Sequence, residues 1–229
     1  MNILVVTSVE AERSAIERAV KEATQASFEV ISVGVGTISA AIQCTLFITS
    51  HIHSLKTIDA IICAGIGGQF INGGIDEFNP GEICLASRTI VADAGAESMR
   101  GFLTLEQLGF GVTMYEANQQ LLHCLHNSLS CLTGDIITVT TATGTTTTTN
   151  RLRKRWPGAV IEAMEGGAVA AVAKAFSIPF IELRSVSNLV GPRRRNEWQI
   201  PAALDGLEQA FRVIAKIDFS VLSQKEGDM

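Results

Sequence analysis

Two glutamates and one polar strand end carry the residue types best suited to chemistry. The run Thr7-Ser8-Val9-Glu10-Ala11-Glu12 follows a β-branched segment directly, which sets two carboxylates at the mouth of a sheet. Thr7 and Glu10 stand at capping-box spacing, so local structure accounts for Glu10. Glu12 is left over. It reads either as a residue of a solvated helix face or as one member of a polar constellation at the strand ends. Glu165 opens a helix whose other residues, Gly166 to Ala173, are almost all small and apolar. A carboxylate is rarely taken into such surroundings unless it is paired or hydrogen-bonded, which makes Glu165 a functional candidate; the alternative is a glutamate favoured by the helix N-terminus. Glu162 reads as structural. A third polar strand end, Arg184-Ser185-Val186-Ser187-Asn188, lets groups from three strand ends converge.

Other chemistries find less support. His51-Ile52-His53 and His123-Cys124-Leu125-His126 lack further ligands at useful spacing, so no metal is expected. No G-x-S-x-G elbow occurs, and Cys63 has no positioned base. Gly34-Val35-Gly36-Thr37 and Gly65-Ile66-Gly67-Gly68 each read as a turn after a strand, where the backbone can approach an anion or a sugar. Neither completes a dinucleotide fingerprint, and the phosphate-loop pattern is missing, so no nucleotide cofactor is expected.

The elements that must position these groups alternate. Strands are expected at 3–7, 29–35, 58–64, 82–87, 135–140 and 180–187, and helices at 11–21, 37–49, 118–129, 146–155, 165–176 and 201–221. Such alternation implies one α/β domain over residues 1–229, with helices on both faces of a central mixed sheet. Apolar residues at 47% and charged residues at 18% supply a large core. A net charge of -5 gives no footprint for nucleic acid, although Arg151 to Arg155 form a local basic cluster. No apolar run reaches membrane-spanning length, no secretory leader is read, and five cysteines without C-x-x-C spacing suit a reducing compartment. A cytoplasmic protein is expected.

Taken in order, Val9-Glu10-Ala11-Glu12, Gly34-Val35-Gly36, Gly65-Ile66-Gly67-Gly68, Glu162-Ala163-Met164-Glu165-Gly166 and Arg184-Ser185-Val186-Ser187-Asn188 resemble the nucleoside phosphorylase and nucleosidase superfamily, in the branch of the methylthioadenosine/S-adenosylhomocysteine nucleosidases. The resemblance implies that Glu12 handles an attacking water, Met164 packs under a ribose, Glu165 grips the ribose hydroxyls, Arg184 organises the water side and Asn188 faces a purine. It further implies substrate contacts for Ile66, Gly67, Gly68, Ala142, Thr143 and Ser187. Adenine nucleosidases carry an Asp where this chain has Asn188, and Ser187 to Arg193 resembles the futalosine hydrolases, which split futalosine into hypoxanthine and dehypoxanthine futalosine in menaquinone biosynthesis. An amide NH2 suits a 6-oxopurine, which shows two acceptors, N7 and O6, on one edge. Where the phosphorylases carry arginines for phosphate, this chain reads Ser8 to Glu12, which implies hydrolysis. An adenine nucleosidase and a non-catalytic nucleoside-binding module are the rivals. The aromatic residue that stacks on adenine has no counterpart in Thr141-Ala142-Thr143-Gly144. Phe102, Phe110 and Tyr115 are expected in a covering loop, Arg100 and Arg193 to Arg195 as anion anchors, and related dimers imply a homodimer or larger homo-oligomer.

Overall fold

The computed structural model describes residues 1–71 and 77–219. In chain order the elements are β1 (Asn2–Thr7), α1 (Glu10–Val20), β2 (Ser27–Ser32), α2 (Thr37–His53), β3 (Ala60–Gln69), β4 (Ile83–Val91), β5 (Gly95–Ser98), β6 (Gly101–Thr104), α3 (Leu105–Leu108), β7 (Met114–Glu116), α4 (Gln119–Ser128), β8 (Leu132–Thr138), α5 (Thr146–Arg155), β9 (Ala159–Ala163), α6 (Gly166–Ala175), β10 (Phe180–Leu189) and α7 (Ile200–Ile214).

Apolar side chains alternate along β1 and so feed two cores. Ile3 and Val5 pack with Ile16 of α1, Leu121 and Leu125 of α4, and Leu207 and Phe211 of α7. Leu4 and Val6 point the other way, to Cys44 and Ile48 of α2 and Val169 of α6. This period-two pattern puts helices on both faces of the sheet. The sheet is mixed, and part of it closes on itself. β3 pairs with β10 in parallel, β10 with β4 antiparallel, β4 with β8 and β8 with β9 in parallel, and β9 returns antiparallel to β3. β1 and β2 extend from the outer side of β3. No described helix is long and apolar enough to cross a membrane.

The expected turn at Gly65 to Gly68 is instead the second half of β3. Its glycines answer crowding by neighbouring chains rather than a reversal of direction. A Cβ at Gly65 would lie 2.6 Å from an Arg184 nitrogen and 2.7 Å from a Glu12 oxygen, and one at Gly67 would lie 2.6 Å from Ile161. The turn at Gly34 and Gly36 is present, and both residues adopt positive φ, 81° and 91°, a region that glycine enters without steric cost. The strand β9 and the short β5, β6 and β7 were not expected. α7 ends at Ile214, before the expected 221, and residues 220–229 lie outside the described residues.

Candidate active site

Glu12 lies in the first turn of α1 and is 2% exposed, which excludes the solvated-helix reading. Its Oε2 accepts from Ser8 N at 2.9 Å, Ser8 Oγ at 2.8 Å and Val9 N at 3.2 Å, and its Oε1 accepts from Ile66 N at 2.9 Å. The expected cap is therefore corrected. Val9 is the N-cap, and Glu12, three residues on, reaches back to its N–H. Thr7 donates instead to Ile31 O at 3.0 Å, and exposed Glu10 lies 3.7 Å from Arg13. The consequence is an asymmetric carboxylate. Oε2 is fully engaged, whereas Oε1 has one donor among the described residues and so keeps an open lone pair, beside Gly65 and Arg184.

Glu165 caps α6 and is buried. Its Oε1 accepts from Gly36 N at 3.0 Å, so the left-handed Gly turn serves to aim a backbone N–H at this carboxylate. Its Oε2 lies 3.5 Å from Arg184 Nη2. Arg184 is buried in β10, donates through Nε to Glu182 Oε1 at 2.9 Å and through Nη2 to Cys63 Sγ at 3.5 Å. Burial opposes its charge, but the groups facing it, Cys63 first and then Glu182, Glu165 and Glu12, together hold its pKa above the ordinary arginine value. Burial likewise keeps Cys63 a neutral thiol by pushing its pKa up.

Glu182 is the participant that sequence reasoning missed. It is wholly buried, and Thr89 Oγ1 donates to its Oε2 at 2.7 Å. Burial raises its pKa, with Arg184 and Thr89 pulling the other way. The available signal was a single acid in the apolar first half of the strand, Phe180-Ile181-Glu182-Leu183.

At the far end of β10 a bulge falls between Val186 and Asn188. The extra residue, Ser187, bonds Gly67 O at 3.0 Å and Asn188 Oδ1 at 2.8 Å. Half-buried Asn188 donates through Nδ2 to Leu189 O at 2.9 Å, which fixes the amide's orientation and leaves one Nδ2 hydrogen uncommitted. Gly68 abuts this amide. Met164 is half-buried between β9 and α6. Thr143 is tied to Glu162 by its N–H at 2.8 Å and by its hydroxyl, so Glu162 anchors the loop carrying Ala142 and Thr143, in keeping with its structural reading.

The match to known proteins spans nearly the whole chain. Residues 12–223 match the phosphorylase superfamily. A futalosine hydrolase of Streptomyces coelicolor is 35% identical, covering 95% of this chain and 96% of its own. The chain belongs to the futalosine hydrolase branch of the phosphorylase superfamily. A second futalosine hydrolase, from Acidothermus cellulolyticus, is 36% identical over 92% of this chain and 89% of its own. The fold agrees. A 5'-methylthioadenosine/S-adenosylhomocysteine nucleosidase from Colwellia psychrerythraea, solved in complex with adenine, superposes with a TM-score of 0.77 at 16% identity, over 95% of this chain and 96% of that one.

In this futalosine hydrolase family member the expected aromatic and cationic groups are dispersed. Phe102 lies under the Arg155 guanidinium at 3.7 Å, Phe110 is exposed, and Tyr115 donates to Val112 O beneath Lys174. The aromatic side chains that share a cleft of about 340 Å³ with Asn188 are Phe78 and Trp198. Arg193 lies over Trp198 at 5.2 Å, Arg194 pairs with Glu197 at 3.4 Å, and Arg100 is exposed at the β5–β6 turn.

Proposed function

We propose that this protein hydrolyses the N-ribosidic bond of futalosine, releasing hypoxanthine and dehypoxanthine futalosine in menaquinone biosynthesis. The observation that carries the proposal is the open lone pair of Glu12 Oε1, next to an Arg184 that also adjoins Glu165. Cleavage of this bond passes through a cationic sugar. Water held at Glu12 Oε1 gives up its proton there as it attacks the anomeric carbon. Glu165 holds the 2′ and 3′ hydroxyls near the developing positive charge, with Met164 under the ribose and the backbone of Ile66 to Gly68 alongside. Asn188 offers its uncommitted hydrogen to the departing 6-oxopurine, while Ser187 fixes the amide, and Ala142 and Thr143 border the base.

Hydrolysis rather than phosphorolysis follows from charge. Arg184, the cation beside Glu12, is flanked by Glu182 and Glu165 as well, and these carboxylates repel a phosphate dianion. Base release is therefore expected to run to completion in phosphate-free buffer and to leave a reducing sugar. A panel of nucleosides with and without phosphate, read by chromatography of the free base, tests this. An absolute phosphate requirement would overturn the proposal, and release of adenine from methylthioadenosine in preference to hypoxanthine would move it to the adenine nucleosidases.

The enzyme is also proposed to act in the cytoplasm as a homodimer. Ile38, Ile42 and Leu46 recur every fourth residue on α2 and are 77%, 51% and 59% exposed, next to Val35 at 57%. A contiguous apolar stripe of this kind on a helix suits a self-complementary contact. Ile42→Glu is expected to convert a dimer to a monomer in light scattering. A wild-type monomer would sink the assignment.

A further inference from the structure

A buried carboxylate with no direct view of substrate needs a reason to be ionisable. Glu182 sits on the same face of β10 as Arg184, two residues away, and its carboxylate is wedged between Thr89 of β4 and the first residue of α6. A Cβ at Gly166 would lie within 2.1 to 2.2 Å of three Glu182 carboxyl atoms, so the glycine after Glu165 makes the room. Packing alone would be served better by an apolar side chain, because taking a carboxylate out of water costs several kcal/mol even when it gains a partner.

The distances around Arg184 are unequal. Its bond to Glu182 is 2.9 Å, within the range of charge-assisted hydrogen bonds, whereas its approach to Glu165 is 3.5 Å and falls outside it. Cys63 on β3 and Glu12 on α1 also face the guanidinium. Released from Glu182, a guanidinium flanked by Glu165 and Glu12 would close on both. It would then occupy the oxygens that the reaction needs.

We propose that Glu182 is a positioning residue that tethers Arg184 through Nε and so holds it back from Glu165 and Glu12, keeping their outward oxygens free for ribose and water. This rests on the hydrolase reading above for its kinetic consequences, though not for its structural one. Glu182→Gln keeps the shape and an acceptor for Nε but removes the charge; Glu182→Leu removes both. For the Leu variant, kcat is expected to fall about tenfold, the loss of one hydrogen bond to a charged group, and KM for futalosine to rise by about the same factor as Arg184 competes for Glu165. The Gln variant should recover part of both. A merely structural role would reduce the active fraction and move kcat alone, so the rise in KM is the discriminating readout.

A crystal structure of the Leu variant supplies a test without turnover. The Arg184 to Glu165 separation should shorten to about 2.9 Å. If the wild type releases no base from futalosine, the functional reading fails while this distance still judges the tether. Should the Leu variant not fold, Thr89→Val loosens Glu182 without removing its charge, and a rise of about twofold in KM, or, for a protein inactive on futalosine, the same shortening in its crystal structure, is expected. Wild-type KM in both the Gln and Val variants, or an unmoved Arg184 in the variant crystallised, would overturn the proposal.

Discussion

Glu12→Gln should lower kcat for futalosine by about 100- to 10,000-fold, the range lost when an aligned general base is removed. The substitution keeps the helix cap and gives up one hydrogen bond, the one Ile66 N donates to Oε1. Oε2 faces three donors from Ser8 and Val9, so the amide oxygen takes that position and the NH2 group falls at Oε1, the position with the fewest donors. That is the atom assigned to water, and an NH2 cannot accept a proton. The helix start stays capped, so the cost to stability should be confined to the unpaired Ile66 N–H, about 1–3 kcal/mol, while turnover collapses. Single-turnover kinetics with excess enzyme would separate the chemical step from binding. A loss smaller than about tenfold would remove Glu12 from the role of base.

Asn188→Asp should change which base is released rather than only how fast. In the wild type Nδ2 is pinned to Leu189 O, and Oδ1 faces the Ser187 hydroxyl. An ionised carboxylate there would set an oxygen against the Leu189 carbonyl and present only acceptors to N7 and O6 of hypoxanthine. Protonation supplies one donor, which serves either the Leu189 carbonyl or adenine N7; when it serves N7, the second oxygen accepts from the adenine N6 hydrogen. Sites built for one hydrogen-bond pattern reject the other by up to about 10,000-fold, and a single exchange recovers part of that. The ratio of kcat/KM for futalosine to that for its adenine counterpart is therefore expected to fall about 100-fold. An unchanged ratio would show that Asn188 does not read the base.

Both of these residues stood out in the sequence, and the reasons are local. Apolar periodicity marked β1, α2 and α6, and a carboxylate at the head of a wholly apolar helix marked Glu165. What was illegible depended on residues far apart in the chain. Glycines ordinarily punctuate, so Gly65 to Gly68 read as a turn; only the presence of Arg184, Glu12 and Ile161 around them explains a strand. Glu10 and Glu12 competed for one cap, and the spacing to Thr7 favoured the wrong one, because the helix begins two residues later than that spacing requires. Glu182 gave only the signal of an acid among apolar neighbours, since nothing near it in the chain marks the pocket made by Thr89, 93 residues away. The short β9 gave too few residues for its period to register.

The closed circuit of strands also sets when during synthesis the chemistry can exist. Glu12 is aimed by Ile66, Glu165 by Gly36, and the bulge of β10 locks onto Gly67 across a separation of 120 residues. Contacts of such long range form late, since loop-closure entropy must be met before they contribute. A chain emerging from the ribosome acquires β1, α1 and β3 early, yet it holds no guanidinium between its two glutamates until β10 has been made and inserted between β3 and β4. The nascent protein thus carries acids without a site, and ribosidic cleavage begins only when the last strand closes the ring.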